Sequence, residues 1–200
     1  LELCEKYGFD CIDIQSECLN RDLEKGIVTI EELGAWFATH HLKMLSYNAL
    51  CFFNMKQTAE EKQAVMDELD EIIRRCNILG CKMIVVVPSQ DMKARGLQPT
   101  RKEIREDAVA VLKEMVKKVE PHGIKLSLEF CGAPDMTINR FEDAYAIVEA
   151  VDSPLVGVTL DQYHFYAMGS GWESLEKADG KKIFVWHLNG TEDMPCGAYY

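Results

Sequence analysis

The chain has 200 residues, of which 48% are hydrophobic and 28% charged, a balance typical of one globular domain. Its formal net charge of -11 leaves no excess of basic residues for a phosphate backbone or an anionic membrane surface. Because the longest apolar runs are also far shorter than the roughly 20 residues that span a bilayer, we expect neither a nucleic-acid nor a membrane partner.

Short β-rich runs alternate with helical patterns along the chain. The predicted strands are CIDIQ (11–15), KMLSYNAL (43–50), KMIVVV (82–87), KLSLEF (125–130), VGVTLD (156–161) and IFVWHLN (183–189). Helices are predicted after Thr29, which forms a capping box with Glu32, after Thr58 up to Gly80, and after Thr100. Shorter helices are predicted in RFEDAYAIVEAV and WESLEKADG, and the first residues, LELCEKYGFD, are expected to begin inside a helix. This alternation indicates parallel strands joined by crossover helices.

Two α/β architectures are compatible with such an alternation, an open doubly wound sheet and a (β/α)8 TIM barrel. No Gly-x-Gly-x-x-Gly follows a predicted strand, so the usual sign of a dinucleotide-binding open sheet is missing. Polar strand-end residues recur after 32 residues, from Glu129 to Asp161, and after 26, from Asp161 to His187. Because barrel units average about 31 residues, this spacing favours the barrel.

Glu129, Asp161 and His187 each stand at the carboxyl end of a predicted strand. In KLSLEF, alternation places Glu129 on the polar side of a strand with one buried face. The carboxyl ends of parallel strands are where α/β folds build their sites. Two carboxylates and one imidazole suit a divalent metal ion such as Mn²⁺, Zn²⁺, Co²⁺ or Mg²⁺. Singly, each residue would be explained as a helix cap or a solvated loop residue, so it is their joint spacing that predicts the metal site.

Several segments resemble the xylose isomerase-like sugar isomerases and epimerases, a metal-dependent TIM-barrel superfamily. The strand-end motifs LEF, TLDQYHF and VWHLN carry the resemblance, and LELCEKYGFD, YNALCFFN, LEFCGAPDMTINRFEDAYAIV and TEDMPCG extend it along essentially the whole chain. Within the superfamily the chain is most similar to the inosose isomerases. The resemblance therefore implies an isomerase acting on a small polyol or ketose.

The resemblance also implies roles for individual residues. Glu129, Asp161 and His187 match the family's first three metal ligands, and Glu129 is in addition the expected catalytic acid/base. His164 matches a substrate-binding histidine. Asn48 is a further substrate-binding candidate, although an asparagine there also suits a turn.

The family carries a fourth metal ligand, a glutamate on the eighth strand, for which this chain has no counterpart. We therefore expect residues 1–200 to be a single TIM-barrel domain truncated at both ends and comprising about strands 2 to 7. A second departure lies at Asn189 and Gly190, where relatives carry acids in a His-x-Asp-Asp pattern. Since carboxylates of this kind orient ligand imidazoles, metal affinity or substrate preference is expected to differ.

The implied reaction interconverts 2-keto-myo-inositol and 1-keto-D-chiro-inositol through a cis-enediolate that the metal stabilises. Alternatives are an inosose dehydratase or a ketose 3-epimerase on the same barrel and, from another class, a non-catalytic polyol-binding barrel. The start of the chain is acidic and unlike a signal peptide, and no Cys-x-x-Cys pair occurs among the eight cysteines. A cytoplasmic location is expected, and a homo-oligomer stays open.

Overall fold

The computed structural model describes residues 1–193 and 195–197 as an alternation of strands and helices. The strands are β1 (Cys11–Gln15), β2 (Lys43–Cys51), β3 (Met83–Val87), β4 (Lys125–Glu129), β5 (Val156–Asp161) and β6 (Ile183–His187). The helices are α1 (Glu2–Lys6), α2 (Ser16–Glu24), α3 (Ile30–Thr39), α4 (Ala59–Leu79), α5 (Arg101–Val119), α6 (Phe141–Val151), α7 (Gln162–Ala167) and α8 (Trp172–Glu176). Met194, inside the TEDMPCG segment, lies outside the described residues.

All six described strands form one parallel sheet whose spatial order is the chain order, from β1 to β6. A doubly wound sheet would reverse its strand order at a switch point, whereas a barrel adds each strand beside the last. The sheet also curls, because Asp13 of β1 and His187 of β6, on opposite edges, hydrogen-bond to each other across its concave side. The prediction of an α/β TIM-barrel fold, present as an incomplete barrel, is confirmed.

Helices on the convex side bury the outer face of the sheet. The apolar stripe of α4 shows the pattern, with buried residues three or four positions apart: Val65, Leu69, Ile72, Cys76 and Leu79. None of the described helices is long and apolar enough to cross a membrane.

Strand β4 departs from the expectation of one buried face. Leu126 and Leu128 are fully buried under the helices, but Ser127 on the opposite face is also 0% exposed and Glu129 only 7%. The reason is that this opposite face lines the concave interior, where Ser127 hydrogen-bonds to Thr159 of β5 at 2.6 Å. The polar side of the strand is therefore an enclosed polar interior.

Local signals in the sequence set the ends of the long helices. Thr29, Thr58 and Thr100 each form a capping box with the glutamate three residues later, and α4 ends at Gly80 in the left-handed conformation (φ 71°). Two helices were not predicted, α2 and α7. Helix α7 is only six residues long and follows β5 with no intervening loop, so it has no room for a visible period.

Candidate metal centre

Three neighbouring strands end in polar side chains that meet at the carboxyl edge of the sheet. Glu129 ends β4, Asp161 ends β5 and His187 ends β6. Backbone register places Asp161 directly beside His187. The Nδ1 atom of His187 lies 3.1 Å from Oε1 of Glu129 and 3.7 Å from Oδ2 of Asp161. The structure thus brings together all three residues that the sequence suggested as metal ligands.

Asp161 is held in place from two directions. Its Oδ1 accepts a hydrogen bond from the backbone N–H of His164 at 3.0 Å, which caps the start of α7. The side-chain amide of Asn189 donates to both carboxylate oxygens of Asp161, at 3.2 and 3.0 Å. The Oδ1 atom of Asn189 in turn accepts from the backbone N–H of Tyr163. Asn189 therefore supports a carboxylate, whereas the acids that relatives carry at this position were expected to orient a ligand imidazole.

His164 enters the same region because α7 packs tightly against the loop after β4. A Cβ atom added at Gly132 would lie 2.7 Å from the backbone oxygen of His164 and 2.8 Å from its Cα. Only glycine permits this approach. One ring nitrogen of His164 and one oxygen each of Glu129 and Asp161 all lie within 4.8 Å of one another. The structure thereby groups the expected substrate-binding histidine with the carboxylates as a further metal-ligand candidate.

Asp13, which was not predicted from the sequence, contributes a third carboxylate to the cluster. Its Oδ2 lies 3.0 Å from Nε2 of His187, and its Oδ1 accepts a 2.5 Å hydrogen bond from the hydroxyl of Ser46. Ser46 is fully buried in β2. The available signal was an acid between two isoleucines in CIDIQ, an alternation that points the carboxylate away from the core-facing side.

The three carboxylates make the centre strongly negative. Hydrogen bonds to Asp13 and then to Glu129 raise the pKa of His187 to about 10, although burial acts in the opposite direction. For Asp13, burial acts to raise the pKa, but hydrogen bonds from His187 and Ser46 outweigh burial, so the pKa of this carboxyl lies below its usual value. In the metal-free chain an imidazolium therefore occupies the middle of an acidic cluster, which is the environment that a cation prefers.

Two cysteines lie close enough to feel these charges. Burial, and then the charge of Glu129, raises the pKa of Cys131 far above its usual range. Burial likewise raises the pKa of Cys51. Both thiols stay protonated at neutral pH, so neither is a candidate nucleophile.

The donor set fits a divalent metal ion. Bonds of about 2.0–2.2 Å place tetrahedral ligands roughly 3.3–3.6 Å apart, and the 3.1 and 3.7 Å separations between His187 and the two carboxylates are close to this range. In addition, Nδ1 of His164 is buried and no described residue hydrogen-bonds to it. Since buried polar atoms are rarely left unpaired, this nitrogen is available to a bound ion or ligand.

Comparison with known proteins agrees with the fold and the site. A family model described as xylose isomerase-like TIM barrel matches residues 1–197. The chain belongs to this family. Inosose isomerases from Bacillus velezensis and Bacillus subtilis are 41% and 42% identical to it over 197 residues, which are 98% of this chain and 68% and 69% of those proteins. A crystal structure of the IolI protein with a bound zinc atom has a TM-score of 0.93 and 41% identity, covering 100% of this chain and 69% of that one.

The prediction of an isomerase is confirmed by the curated relatives at about 41% identity, which are inosose isomerases. At this level the function is that of a sugar isomerase with a small-molecule substrate. The prediction that residues 1–200 form a single domain truncated at both ends stays a prediction.

Asn48, the other predicted substrate-binding residue, lies in β2 and pairs in register with Gln15 and Val85. It is half-buried and stands two residues beyond Ser46, hence on the face of the strand that lines the interior of this xylose isomerase-like barrel. No described residue hydrogen-bonds to its side chain. Its amide is therefore available to a ligand, and its role stays a prediction.

A surface cavity lies beside this centre. About 700 Å³ in volume, it is lined by aromatic residues of α7 and α8, including Tyr163, Phe165 and Trp172, and by the loop after β6. None of the candidate metal ligands lines it. The candidate metal ligands therefore lie at the strand ends, outside the lining of this cavity.

Proposed function

We propose that the protein is a metal-dependent keto-inositol isomerase that interconverts 2-keto-myo-inositol and 1-keto-D-chiro-inositol. The observation that carries the proposal is the 40–42% identity to curated inosose isomerases over 98% of the chain. The acidic cluster at the strand ends supports it, since removing a poorly acidic C–H proton beside a ketone requires a base and stabilisation of negative charge.

In this proposal Glu129, Asp161 and His187 hold a divalent ion, Mn²⁺, Zn²⁺, Co²⁺ or Mg²⁺. When bound, such an ion polarises the ketone and lowers the cost of negative charge on its oxygen. Carboxylate and imidazole ligands accommodate several of these ions, so availability decides which one is used. The related IolI structure holds a zinc atom, which supports a divalent ion as the cofactor.

Glu129 moves the proton. Its carboxylate takes the hydrogen from the carbon beside the ketone, and a second group returns one to the former carbonyl carbon. Between these steps the substrate is an enediolate, and the hydroxyl proton passes from one oxygen to the other, so the reaction involves no net oxidation. The near-complete burial of Glu129 supports this role, because it limits competition from water.

His164 and Asn48 orient the substrate. The Nδ1 atom of His164, which is buried and has no hydrogen-bond partner among the described residues, is suited to a hydrogen bond with a ring hydroxyl of the inosose. Asn48 offers one acceptor and two donor hydrogens from the wall formed by β2. We also infer that the protein acts in the cytoplasm, since all eight cysteines are free thiols, as a reducing compartment requires. A homo-oligomer stays a prediction.

The test is to incubate the native protein, loaded with Mn²⁺ or with Zn²⁺, with 2-keto-myo-inositol in D₂O and to follow the products by NMR. We expect 1-keto-D-chiro-inositol with deuterium on the carbon beside the ketone. A Glu129→Gln variant is expected to lose at least about 10²-fold in rate. Glu149→Gln, which changes an exposed glutamate of α6, is the matched control.

Other products would overturn the proposal in distinct ways. A dehydrated diketone would identify an inosose dehydratase. An epimerised ketose, obtained when ketoses replace the inosose, would identify a 3-epimerase. Binding of the inosose without conversion or deuterium uptake under both metals would leave a polyol-binding barrel.

A further inference from the structure

Asp13 lies at the centre of an interaction that none of the proposed catalytic steps uses. It is the third residue of β1, and its side chain is 26% exposed. A carboxylate this deeply placed is costly unless its oxygens are hydrogen-bonded. Both are: Ser46 donates to Oδ1, and Nε2 of His187 lies 3.0 Å from Oδ2.

The two ring nitrogens of His187 face different partners. Nε2 meets Asp13, whereas Nδ1 lies between Glu129 at 3.1 Å and Asp161 at 3.7 Å. An ionised carboxylate only accepts hydrogen bonds, so Asp13 requires a hydrogen on Nε2. When a metal is bound, that requirement leaves the lone pair of the imidazole on Nδ1, on the side of the other two carboxylates.

The contact with Asp13 also fixes the plane of the ring. His187 is the last residue of β6, at one edge of the described sheet, where no further described strand pairs with it. Asp13 is anchored in β1, and Ser46, in the neighbouring strand β2, holds its carboxylate from the buried side. The Nε2 side of the imidazole is therefore held from β1 and β2, across the concave interior, while Glu129 of β4 and Asp161 of β5 face its Nδ1 side.

We propose that Asp13, held by Ser46, is a positioning residue that fixes the tautomer and orientation of His187 so that Nδ1 binds the metal ion together with Glu129 and Asp161. The proposal rests on the metal site of the proposed function but not on its substrate. Carboxylates that accept from a ligand histidine make the imidazole a stronger ligand, and their loss typically weakens metal affinity about 10–100-fold.

The experiment compares Zn²⁺ and Co²⁺ affinity in the native protein and in Asp13 variants, by competition with a chelator and with no substrate present. Asp13→Asn keeps the shape of the side chain but loses its charge, and its amide presents donor hydrogens that favour the wrong tautomer. We expect about 10–100-fold weaker binding for Asp13→Asn and Asp13→Ala, and substantial recovery for Asp13→Glu. Ser46→Ala should show a smaller loss in the same direction.

Asp10→Asn is the matched control, because Asp10 lies three residues earlier and makes a similar contact, 2.9 Å, with Nε2 of His41. It is expected to leave metal affinity unchanged. The visible absorption spectrum of the Co²⁺ protein is a second readout, since it reports the ligand geometry and would not respond to a general loss of stability. We expect it to change in Asp13→Asn and to stay unchanged in Asp10→Asn.

A third readout is direct. In the Zn²⁺-loaded protein, ¹⁵N–¹H NMR of the imidazole should show a hydrogen on Nε2 of His187 and the metal on Nδ1. Metal on Nε2, or unaltered affinity and cobalt spectrum in Asp13→Asn, would overturn the role of Asp13 alone. A native protein that binds neither ion would overturn the metal site and with it both proposals. If the Asp13 variants lose metal affinity as expected but the native protein does not convert the inosose, only the proposed function is overturned.

Discussion

Two aspartates in or just before the first strand each pair with a histidine, and the two pairs make nearly the same contact. Asp13 lies 3.0 Å from Nε2 of His187 inside the sheet, and Asp10, just before β1, lies 2.9 Å from Nε2 of His41 outside it. The side chains of the inner pair are 26% and 23% exposed, whereas those of the outer pair are 87% and 63% exposed.

The difference lies in what surrounds each histidine. The second nitrogen of His187 faces Glu129 and Asp161, while His41 follows α3 at the opposite end of the sheet, away from the strand-end carboxylates. An exposed ion pair of this kind contributes about 0–1 kcal/mol, because water and salt screen it. The contact distance therefore does not distinguish the two pairs, whereas enclosure and additional partners do.

The largest expected difference is in metal affinity. His187→Ala removes a proposed ligand and should weaken Zn²⁺ binding by more than about 100-fold, beyond the loss expected for a supporting residue. His41→Ala should leave the affinity unchanged. Equilibrium competition with a chelator measures both, and circular dichroism verifies that both variants fold. Equal affinity in the two variants would place the metal, if any, elsewhere.

A second contrast uses two glycines at close helix contacts. Gly132→Ala would force its Cβ against the backbone of His164, and Gly34→Ala would force it to within 2.6 Å of the backbone oxygen of Ile78. Both should lower the free energy of unfolding by about 1–3 kcal/mol, since neither backbone contact yields easily. Only Gly132→Ala displaces α7, so it alone should raise KM for 2-keto-myo-inositol.

Urea unfolding measures the stability of both glycine variants, and initial rates over a range of substrate concentrations give their KM. Similar KM values would mean that the position of α7 does not govern substrate binding, and the role proposed for His164 would then be untenable.

The site residues that could be predicted from the sequence are polar residues at the ends of apolar, β-rich runs. Glu129, Asp161 and His187 could be found because each ends a β-rich run and they recur at the spacing of barrel units. Threonine caps and Gly80 gave the ends of the long helices in the same local way. Signals of this kind need only neighbouring residues.

Asp13 and Asn189 were beyond such reasoning. The partner of Asp13 is His187, 174 positions away along the chain. Nothing in the neighbouring residues CIDIQ indicates that Asp13 contacts this histidine. Asn189 was noticed only as a departure from a family pattern whose acids orient an imidazole, whereas Asn189 itself holds Asp161, 28 positions earlier. Which side chain supports which ligand depends on the curl of the sheet, and the alternation of residues along a strand does not specify that curl.

A smaller effect distinguishes a supporting bond inside the centre from one at the surface. Asn189→Ala removes both donors to Asp161 and should lower the stability of the metal-free protein by about 1 kcal/mol. Asn77→Ala removes an exposed contact with His122 and should change it by less than about 0.5 kcal/mol. Urea unfolding without metal measures the free energy of unfolding of both variants. Equal losses of stability would show that the Asn189–Asp161 hydrogen bonds are no stronger than an exposed one.

The smallest effect belongs to an exposed ion cluster, the counterpart of the outer pair. Hydrogen bonds from Arg74, and then from Arg75, lower the pKa of Glu71 to about 2, although burial opposes the shift. Because the folded-state pKa is depressed, the stabilisation is present above the unfolded pKa of about 4.5 and is lost as the pH falls toward 2. Glu71 is 42% exposed, so solvent screening limits the effect to about 0.2–1 kcal/mol.

The Glu71→Gln variant should lack this contribution to the pH dependence of the free energy of unfolding. The measurement is urea unfolding at several pH values from about 5 down to about 2, a range that includes both pKa values of Glu71. If Glu71→Gln lowered the free energy of unfolding by several kcal/mol, exposure would not predict the strength of ion pairs in this protein. The exposed Asp10–His41 pair could then no longer be considered weaker than the enclosed Asp13–His187 pair.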